Sequence, residues 1–487
     1  MKKALHTFLE SNKEYPIFSG FICGLYAFLF YYSNNFAAIF SWAHFFYFFL
    51  VFVGVSVTVF GLIYYALGKF EHLKAYRQQA LFVLIITVTI TLLSQAVFLT
   101  LKKKLIVLAF VVSIALAWKL FSHYKKLVVL IMVMSIIPIA KCLIHVYEHV
   151  NATTWIASSE SLSNLVFKHS PNIYVIQPDG YVAHKTLERA PYNHKSDLYN
   201  WLADNDFKLY ENVRSNYAAS LASNASMFAM KQHRYANMIR PTFELPEARR
   251  IISGSNPVID VLKQNNYHTS FIVQDEYFQQ NRDPLVYDYY NIKHEEIPFF
   301  SNDNNIKKVV FEDLKYAMTL PTDQPRFYFV EKLLPHHIHF EPTVEEDRAS
   351  YVKLIDSVNV WLRKTITHIE KNDDNALIVV LADHGGWLGV SNYDQMFTTR
   401  DETELNSIYS VLAAIKWNGY DHEDVDLSFR SNVNLFRILF AALSEDKTYL
   451  EDLEDDSSYN LLKDSMYFNA VNQVIDSDGN FVFNKLD

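Results

Sequence analysis

Two short apolar runs of this 487-residue chain stop on acids. In "NIYVIQPDGYVAHKTL", starting at Asn172, Ile173 to Ile176 lead through Gln177 and Pro178 to Asp179, with Gly180 directly behind. In "ALIVVLADHGGWLG", starting at Ala376, the run leads to Asp383, His384, Gly385 and Gly386. A β-rich run that stops at Asp-Gly reads either as an ordinary turn or as the mouth of an α/β sheet, where ligands and metals gather at the carboxyl ends of strands. The chain uses only 12 glycines, yet glycine closely follows both acids. Glycine permits the sharp turn that keeps a ligand side chain at a strand tip. Two strand-end acids plus an adjacent imidazole favour the second reading: Asp179, Asp383 and His384 would make an open metal site, three protein ligands with a vacancy. So few ligands, one of them an imidazole, suit zinc or manganese better than calcium, with magnesium as an alternative.

Two further stretches offer partners for such an ion. In "SNYAASLASNASMFAM", Ser215 to Met230, small residues lead into a helix-like pattern of Leu221, Ala225, Met227 and Phe228. A serine at a helix start is usually an N-cap. It can equally be a nucleophile, because helix N-terminal amides bind an anion and a metal lowers the hydroxyl pKa. Ser220 could fill the vacant metal position, whereas Ser223 and Ser226, about one and two turns further on, point away from the anion-binding end. In "EKLLPHHIHF", Glu331 to Phe340, three histidines fall within four residues. They read as a polar loop or, since Pro335 fixes the chain direction, as an aimed His336 that binds a phosphate oxygen or protonates a leaving group.

These residues need a sheet to carry them. Strand candidates are Asn172–Gln177, Thr269–Gln274, Arg326–Lys332, Ala376–Leu381 and Val411–Lys416. They alternate with helix candidates at Ser196–Asn205, Pro257–Asn265 and the long amphipathic Arg348–Lys371. That alternation predicts a largely parallel sheet covered on both faces. The stretch from Asp275 to Asn305, rich in Asn, Asp, Tyr and Glu, reads as a long insertion.

The first third of the chain is different. No Asp, Glu, Lys or Arg occurs between Glu14 and Lys69, and one membrane helix needs about 20 apolar residues. Five spans are expected, near Ile17–Tyr32, His44–Leu67, Ala80–Leu101, Leu105–Trp118 and Leu127–Val146. The apolar region runs too far for a cleavable signal peptide. Lys2, Lys3 and Lys13 precede the first span, Lys69, Lys74 and Arg77 follow the second, and Lys119, Lys125 and Lys126 follow the fourth. These clusters place the N-terminus in the cytoplasm and everything after the fifth span outside, against the dissent of Lys102 to Lys104. The expected organisation is a transmembrane domain over residues 1–147, a linker over 148–170 and an extracytoplasmic catalytic domain over 171–487 of a multi-pass cell-membrane protein. Both cysteines, Cys23 and Cys142, lie in the spans, so the outer domain carries no disulfide. A net charge of −9 gives no reason to expect nucleic-acid binding.

Taken in order, "NIYVIQPDGY", "SNYAASLASNASM", "LLPHH" and "DHGG", with the later "SNVNLFRILFAAL" and "DDSSY", resemble the sulfatase-like hydrolase/transferase branch of the alkaline phosphatase superfamily. Its membrane-anchored members include lipoteichoic acid synthases and phosphoethanolamine transferases. The resemblance covers about residues 172 to 459 and implies an alkaline-phosphatase-like three-layer α/β/α domain. It puts the metal on Asp179, Ser220, Asp383 and His384, the nucleophile on Ser220 and a substrate contact on His336. The sequence departs from the pattern at Ser220, where Thr is usual, and at Glu331, where a histidine is usual. The implied activity is transfer of a phospholipid headgroup, phosphoglycerol or phosphoethanolamine, through a covalent phosphoserine to a cell-envelope glycan or lipid. The alternatives are a sulfate or phosphate ester hydrolase and a catalytically silent envelope-binding protein. Sulfatases of the branch carry C/S-x-P-x-R, and "SLASNA" has neither Pro nor Arg there.

Overall fold

The computed structural model describes residues 2–151, 162, 164–235, 243–300, 305–463 and 469–486. The chain forms two compact units, one of residues 1–150 with 298–302 and one of residues 151–297 with 303–487. Residues 152–161 and 163 of the expected linker lie outside the described residues. The short return of 298–302 to the first unit divides the expected catalytic region, because Phe299 stacks on Tyr47 at 4.0 Å and Phe300 meets the Phe48 ring at 5.0 Å.

In the first unit, four helical stretches among the described residues are long and apolar enough to cross a membrane: Pro16–Asn34, Trp42–Lys69, Arg77–Phe98 and Lys103–Asn151. The fourth folds back at a 3-10 turn, Phe121–His123. Lys125 donates to the Ser11 carbonyl, whereas Lys141 donates to Asn34 Oδ1 at 3.0 Å, so the chain after the turn runs alongside the first helix in the same direction. The part before the turn packs on Arg77–Phe98, with Thr87 and Ser113 hydroxyls 3.3 Å apart. Its other side is bare and apolar: Val107, Leu108, Val111 and Trp118 are exposed. A continuous apolar face of that kind suits lipid and not water.

The second unit is built on a seven-stranded sheet. Its strands are β1 (Asn172–Pro178), β2 (Lys208–Leu209), β3 (His268–Ile272), β4 (Tyr289–Tyr290), β5 (Arg326–Lys332), β6 (Ala376–Leu381) and β7 (Ala413–Lys416), in the order β2-β7-β6-β1-β5-β3-β4. All five expected strands are present. β1 lies at the centre, parallel to β5 and β6, and β3 and β4 continue the parallel part. β7 and β2 run antiparallel at one edge, a reversal that the alternation of elements does not announce. Every residue of β6 is buried, and so is every residue of β1 but Asn172. That pattern requires helices on both faces of the sheet. The longest, Val344–Asn372, makes the crossover from β5 to β6 and opens on a capping box between Thr343 and Glu346. A second sheet of β8 (Ser458–Lys463), β9 (Asn469–Ile475) and β10 (Phe481–Leu486) ends the chain as an antiparallel meander.

Candidate active site

β1 and β6 are adjacent and parallel, so their carboxyl ends deliver Asp179 and Asp383-His384 to the same sheet edge. The chain must turn at once after each strand, and the packing behind it leaves no room for a side chain. Gly180 sits at φ +69°, and a Cβ there would lie 2.7 Å from the His336 carbonyl carbon. A Cβ on Gly385 would lie 2.1 Å from the Ser407 carbonyl oxygen. Each tip is then tied down: Asp179 N–H donates to the Lys332 carbonyl at 2.9 Å, and Gly385 N–H to Ile408 at 2.8 Å.

The side chains converge. His384 donates Nδ1–H to the Gly385 carbonyl at 2.8 Å, which leaves the Nε2 lone pair facing inward. That nitrogen lies 3.2 Å from Ser220 Oγ, 3.4 Å from Asp179 Oδ1 and 3.5 Å from Asp383 Oδ2. Ser220 Oγ is 3.4 Å from Asp179 Oδ1. Asp383 Oδ1 accepts from the Gly180 and His384 amides at 3.1 and 2.9 Å, while its Oδ2 is buried without a partner. Two buried carboxylates, an imidazole lone pair and a hydroxyl thus point at one spot, and ligand atoms of Asp179, Asp383 and His384 lie within 4.8 Å of one another. The donor set fits a divalent cation: two acids and an imidazole are hard-to-borderline ligands. Without a cation, burial and the neighbouring Asp383 push the Asp179 carboxyl well above its ordinary pKa.

Ser220 opens a ten-residue helix, Ser220–Ala229, but as its first helical residue; the capping position is Ala219 and no side chain caps it. The hydroxyl is therefore free of the capping duty that a helix-initial serine usually performs, and the first amides of the helix have no acceptor within it. Ser223 does not face solvent along the helix. Its buried hydroxyl donates to the Asp383 carbonyl at 2.7 Å, and Asn432 Nδ2 donates to the Ala382 and Asp383 carbonyls at 3.0 and 3.1 Å. These bonds lock the helix to the end of β6.

His336 lies across the site from this helix. Its N–H donates to the Asp179 carbonyl at 2.9 Å, its φ is +66°, and its Nε2 is 3.8 Å from Asp179 Oδ2. Nδ1–H donates to the His337 carbonyl at 3.0 Å, so Nε2 again carries the lone pair. Burial lowers the pKa of this ring, which is neutral at pH 7. The next two aromatic groups brace the site: His337 stacks on Trp387 at 4.0 Å, Trp387 lies 5.4 Å from the His384 ring, and its indole N–H donates to the Ala218 carbonyl at 3.1 Å.

Two acids stand behind the cluster. Glu331 is buried, and its carboxyl is pushed well above the usual range by burial and by Asp275, Asp179 and Asp383. Asp275 is the residue that sequence reasoning missed. It lies three residues past the end of β3, and the strand-end rule applied to "FIVQD" would have found it.

A family model described as Sulfatase matches residues 200–443. No curated protein matches the sequence. Among solved structures, the C-terminal periplasmic domain of EcEptC from Escherichia coli is similar with 15% identity and a TM-score of 0.42, over 64% of this chain and 93% of that one. The integral membrane protein lipooligosaccharide phosphoethanolamine transferase A from Neisseria meningitidis is similar with 12% identity and a TM-score of 0.39, over 89% of this chain and 96% of that one.

Proposed function

The chain belongs to the sulfatase family, and from that premise we propose that it is a membrane-anchored, metal-dependent transferase that moves a phospholipid headgroup through a covalent phosphoserine to a cell-envelope glycan or lipid. The observation that carries the reading is the Ser220 hydroxyl. It leads a helix without capping it and sits within 3.4 Å of both Asp179 and His384. The absence of Pro and Arg from "SLASNA" speaks against formylglycine chemistry and for serine itself.

Asp179, Asp383, His384 and Ser220 are the residues that would hold the ion. A divalent cation there, zinc or manganese, would lower the pKa of the hydroxyl and offset charge on the nonbridging phosphate oxygens. Ser220 Oγ bonds to phosphorus as the bond to the lipid glycerol oxygen breaks, leaving the headgroup phosphate on Ser220 and diacylglycerol as the departing alcohol. The free amides at the start of the Ser220 helix favour the extra negative charge. The lone pair of His336 Nε2 is the group placed to take up the proton released from Ser220 Oγ and pass it to the departing glycerol oxygen, and then to take the proton of the attacking hydroxyl and return it to Ser220 Oγ. An acceptor hydroxyl attacks the same phosphorus, and Ser220 Oγ leaves.

Membrane anchorage suits a bilayer lipid as donor. The alternating directions of the apolar helices support five passes, with residues beyond about 150 outside the cell. Protease added to intact spheroplasts then digests the second unit, and full protection of it rejects that topology. The substrate reading is tested by mass spectrometry of envelope glycans and lipids with and without the gene. A phosphoglycerol or phosphoethanolamine substituent lost with the gene and restored by wild-type protein, but not by Ser220→Ala, is the expected result; an unchanged envelope counts against transfer.

A further inference from the structure

One cavity in the second unit is lined by none of the metal-cluster residues. It is an open groove of about 1040 Å³ on the β7 side of the sheet, walled by the turn after β1, the chain entering the Ser220 helix, the helix Glu402–Tyr409 and the β9–β10 hairpin. The groove lies close behind the cluster along the chain. Arg214 on its wall is six residues before Ser220, Ser215 N–H donates to the Tyr409 carbonyl, and the next carbonyl upstream, that of Ile408, holds Gly385.

We propose that this groove binds an anionic saccharide, a sugar chain bearing phosphate or carboxylate groups. In a chain of net charge −9, the lining brings together Lys185, Arg189, Arg214 and Arg430. Of the acids that share the lining, Glu211 is already paired with Lys185 at 2.8 Å. Arg189 and Arg430 are exposed, and neither has a carboxylate within ion-pairing distance among the described residues. Arg214 is half-buried. Its Nη2 donates to the carbonyls of Asp476 and Ser477 at 2.8 and 3.0 Å, while its Nε is buried with no acceptor. A planar guanidinium with a spare donor, next to two unpaired guanidinium groups, matches oxyanions that accept in pairs. The rest of the wall carries two exposed acids, Glu402 and Asp478, besides hydroxyl and amide groups from Thr403, Asn406 and Asn212 and the rings of Phe429 and Phe481; with Lys185 and Glu211 paired to each other, three guanidinium groups stand against two carboxylates. Short polar donors interspersed with aromatic faces suit a sugar ring better than an acyl chain. The volume is that of a site for several linked rings, larger than one phosphate needs.

In a headgroup transferase the bound saccharide is the acceptor. That role rests on the reading of Ser220 given above, but the binding does not. The test uses the full chain carrying Ser220→Ala, in phosphatidylcholine nanodiscs, with fluorescence anisotropy of labelled hexasaccharides: oligogalacturonate for carboxylate, a phosphorylated maltohexaose for phosphate, and plain maltohexaose as the neutral probe. At least one anionic hexasaccharide binds with a Kd below about 1 mM and more tightly than maltohexaose. Arg189→Gln with Arg430→Gln weakens that binding by about tenfold or more, the loss expected from two charge-assisted donors. Both side chains are exposed and unpaired, so the double variant keeps its melting temperature, and Lys at the two positions restores part of the affinity. The proposal fails if no anionic hexasaccharide binds, if the Gln double variant binds like its parent, or if hexathymidylate binds as tightly as the saccharides. The headgroup adduct on wild-type Ser220 is measured separately. Loss of that adduct with saccharide binding intact overturns the transfer chemistry and not the groove.

Discussion

Removing the divalent ion makes Asp179 a liability that grows with pH. Its folded-state pKa is raised from 3.8, to about 8, by burial first and by Asp383 second. A carboxyl raised in the folded state is protonated there and ionised in the unfolded chain over the interval between the two values. Stability from the protonated form is then present below the unfolded pKa and lost as pH rises toward the folded one. With one more proton bound in the native state, metal-free protein loses about 1.4 kcal/mol per pH unit between pH 5 and pH 7, about 3 kcal/mol in all. At about 1.5 °C per kcal/mol for a unit of this size, the melting temperature falls by about 4 °C on this account. Asp179→Asn removes this share, so the melting temperature of the metal-free variant falls less steeply than that of wild type between pH 5 and pH 7 and lies above it at pH 7, while the raised Glu331 carboxyl keeps a slope of its own. Saturating zinc or manganese removes the Asp179 share of the pH dependence in wild type, because the ion needs the ionised carboxylate, and raises its melting temperature at pH 7. The assay is intrinsic-fluorescence melting of chelator-treated and metal-loaded protein at pH 5, 6 and 7. An Asp179→Asn variant with the same slope as metal-free wild type refutes the geometry assigned to this carboxyl.

The remaining expectations concern the groups around the cluster. Glu331→Gln makes permanent the neutral form that burial and the neighbouring acids favour, so kcat at pH 7 stays within about threefold of wild type; a loss of about a hundredfold with normal metal content would show that the carboxylate form acts. Ser223→Ala removes a buried donor to the Asp383 carbonyl and costs about 1–2 kcal/mol in stability without abolishing the Ser220 adduct, as urea melts and adduct mass spectrometry would show. Asn432→Ala, which strips donors from two buried carbonyls, is the more damaging of the pair, and equal melts for the two would refute that ranking.

The strands that carry the site were legible because they are β-branched runs ending on acids, and the helix Val344–Asn372 was legible because its apolar face repeats over eight turns. β2 and β4 were not, since two residues give no period. Their pairing with β7 and β3 is decided by neighbours and not by their own sequence. The β8–β10 meander was hidden by its polar, Asn-containing strands, although Asp478-Gly479 between β9 and β10 is a hairpin signal that could have been used. At the site, residue types announced Asp179, Asp383, His384 and Ser220. Spacing could not reveal that Ser220 is the first helical residue instead of the cap, because that depends on the φ of Ala219. Nor could it show that Ser223 and Asn432 hold the end of β6, because those bonds join segments about 50 and 160 residues apart. The groove is of the same kind: Arg189, Arg214 and Arg430 are scattered in sequence and meet only through the fold.

The central claim is that Ser220 is the atom-transferring nucleophile. Incubation of the full chain with phospholipid labelled in the headgroup phosphate, an acid quench and peptide mapping by mass spectrometry test it directly. The account predicts headgroup phosphate on Ser220 alone, present with zinc or manganese, absent after chelation and absent in Ser220→Ala, while Ser220→Thr still forms the adduct. Headgroup transfer by Ser220→Ala at near the wild-type rate, or an adduct on any other residue, contradicts it.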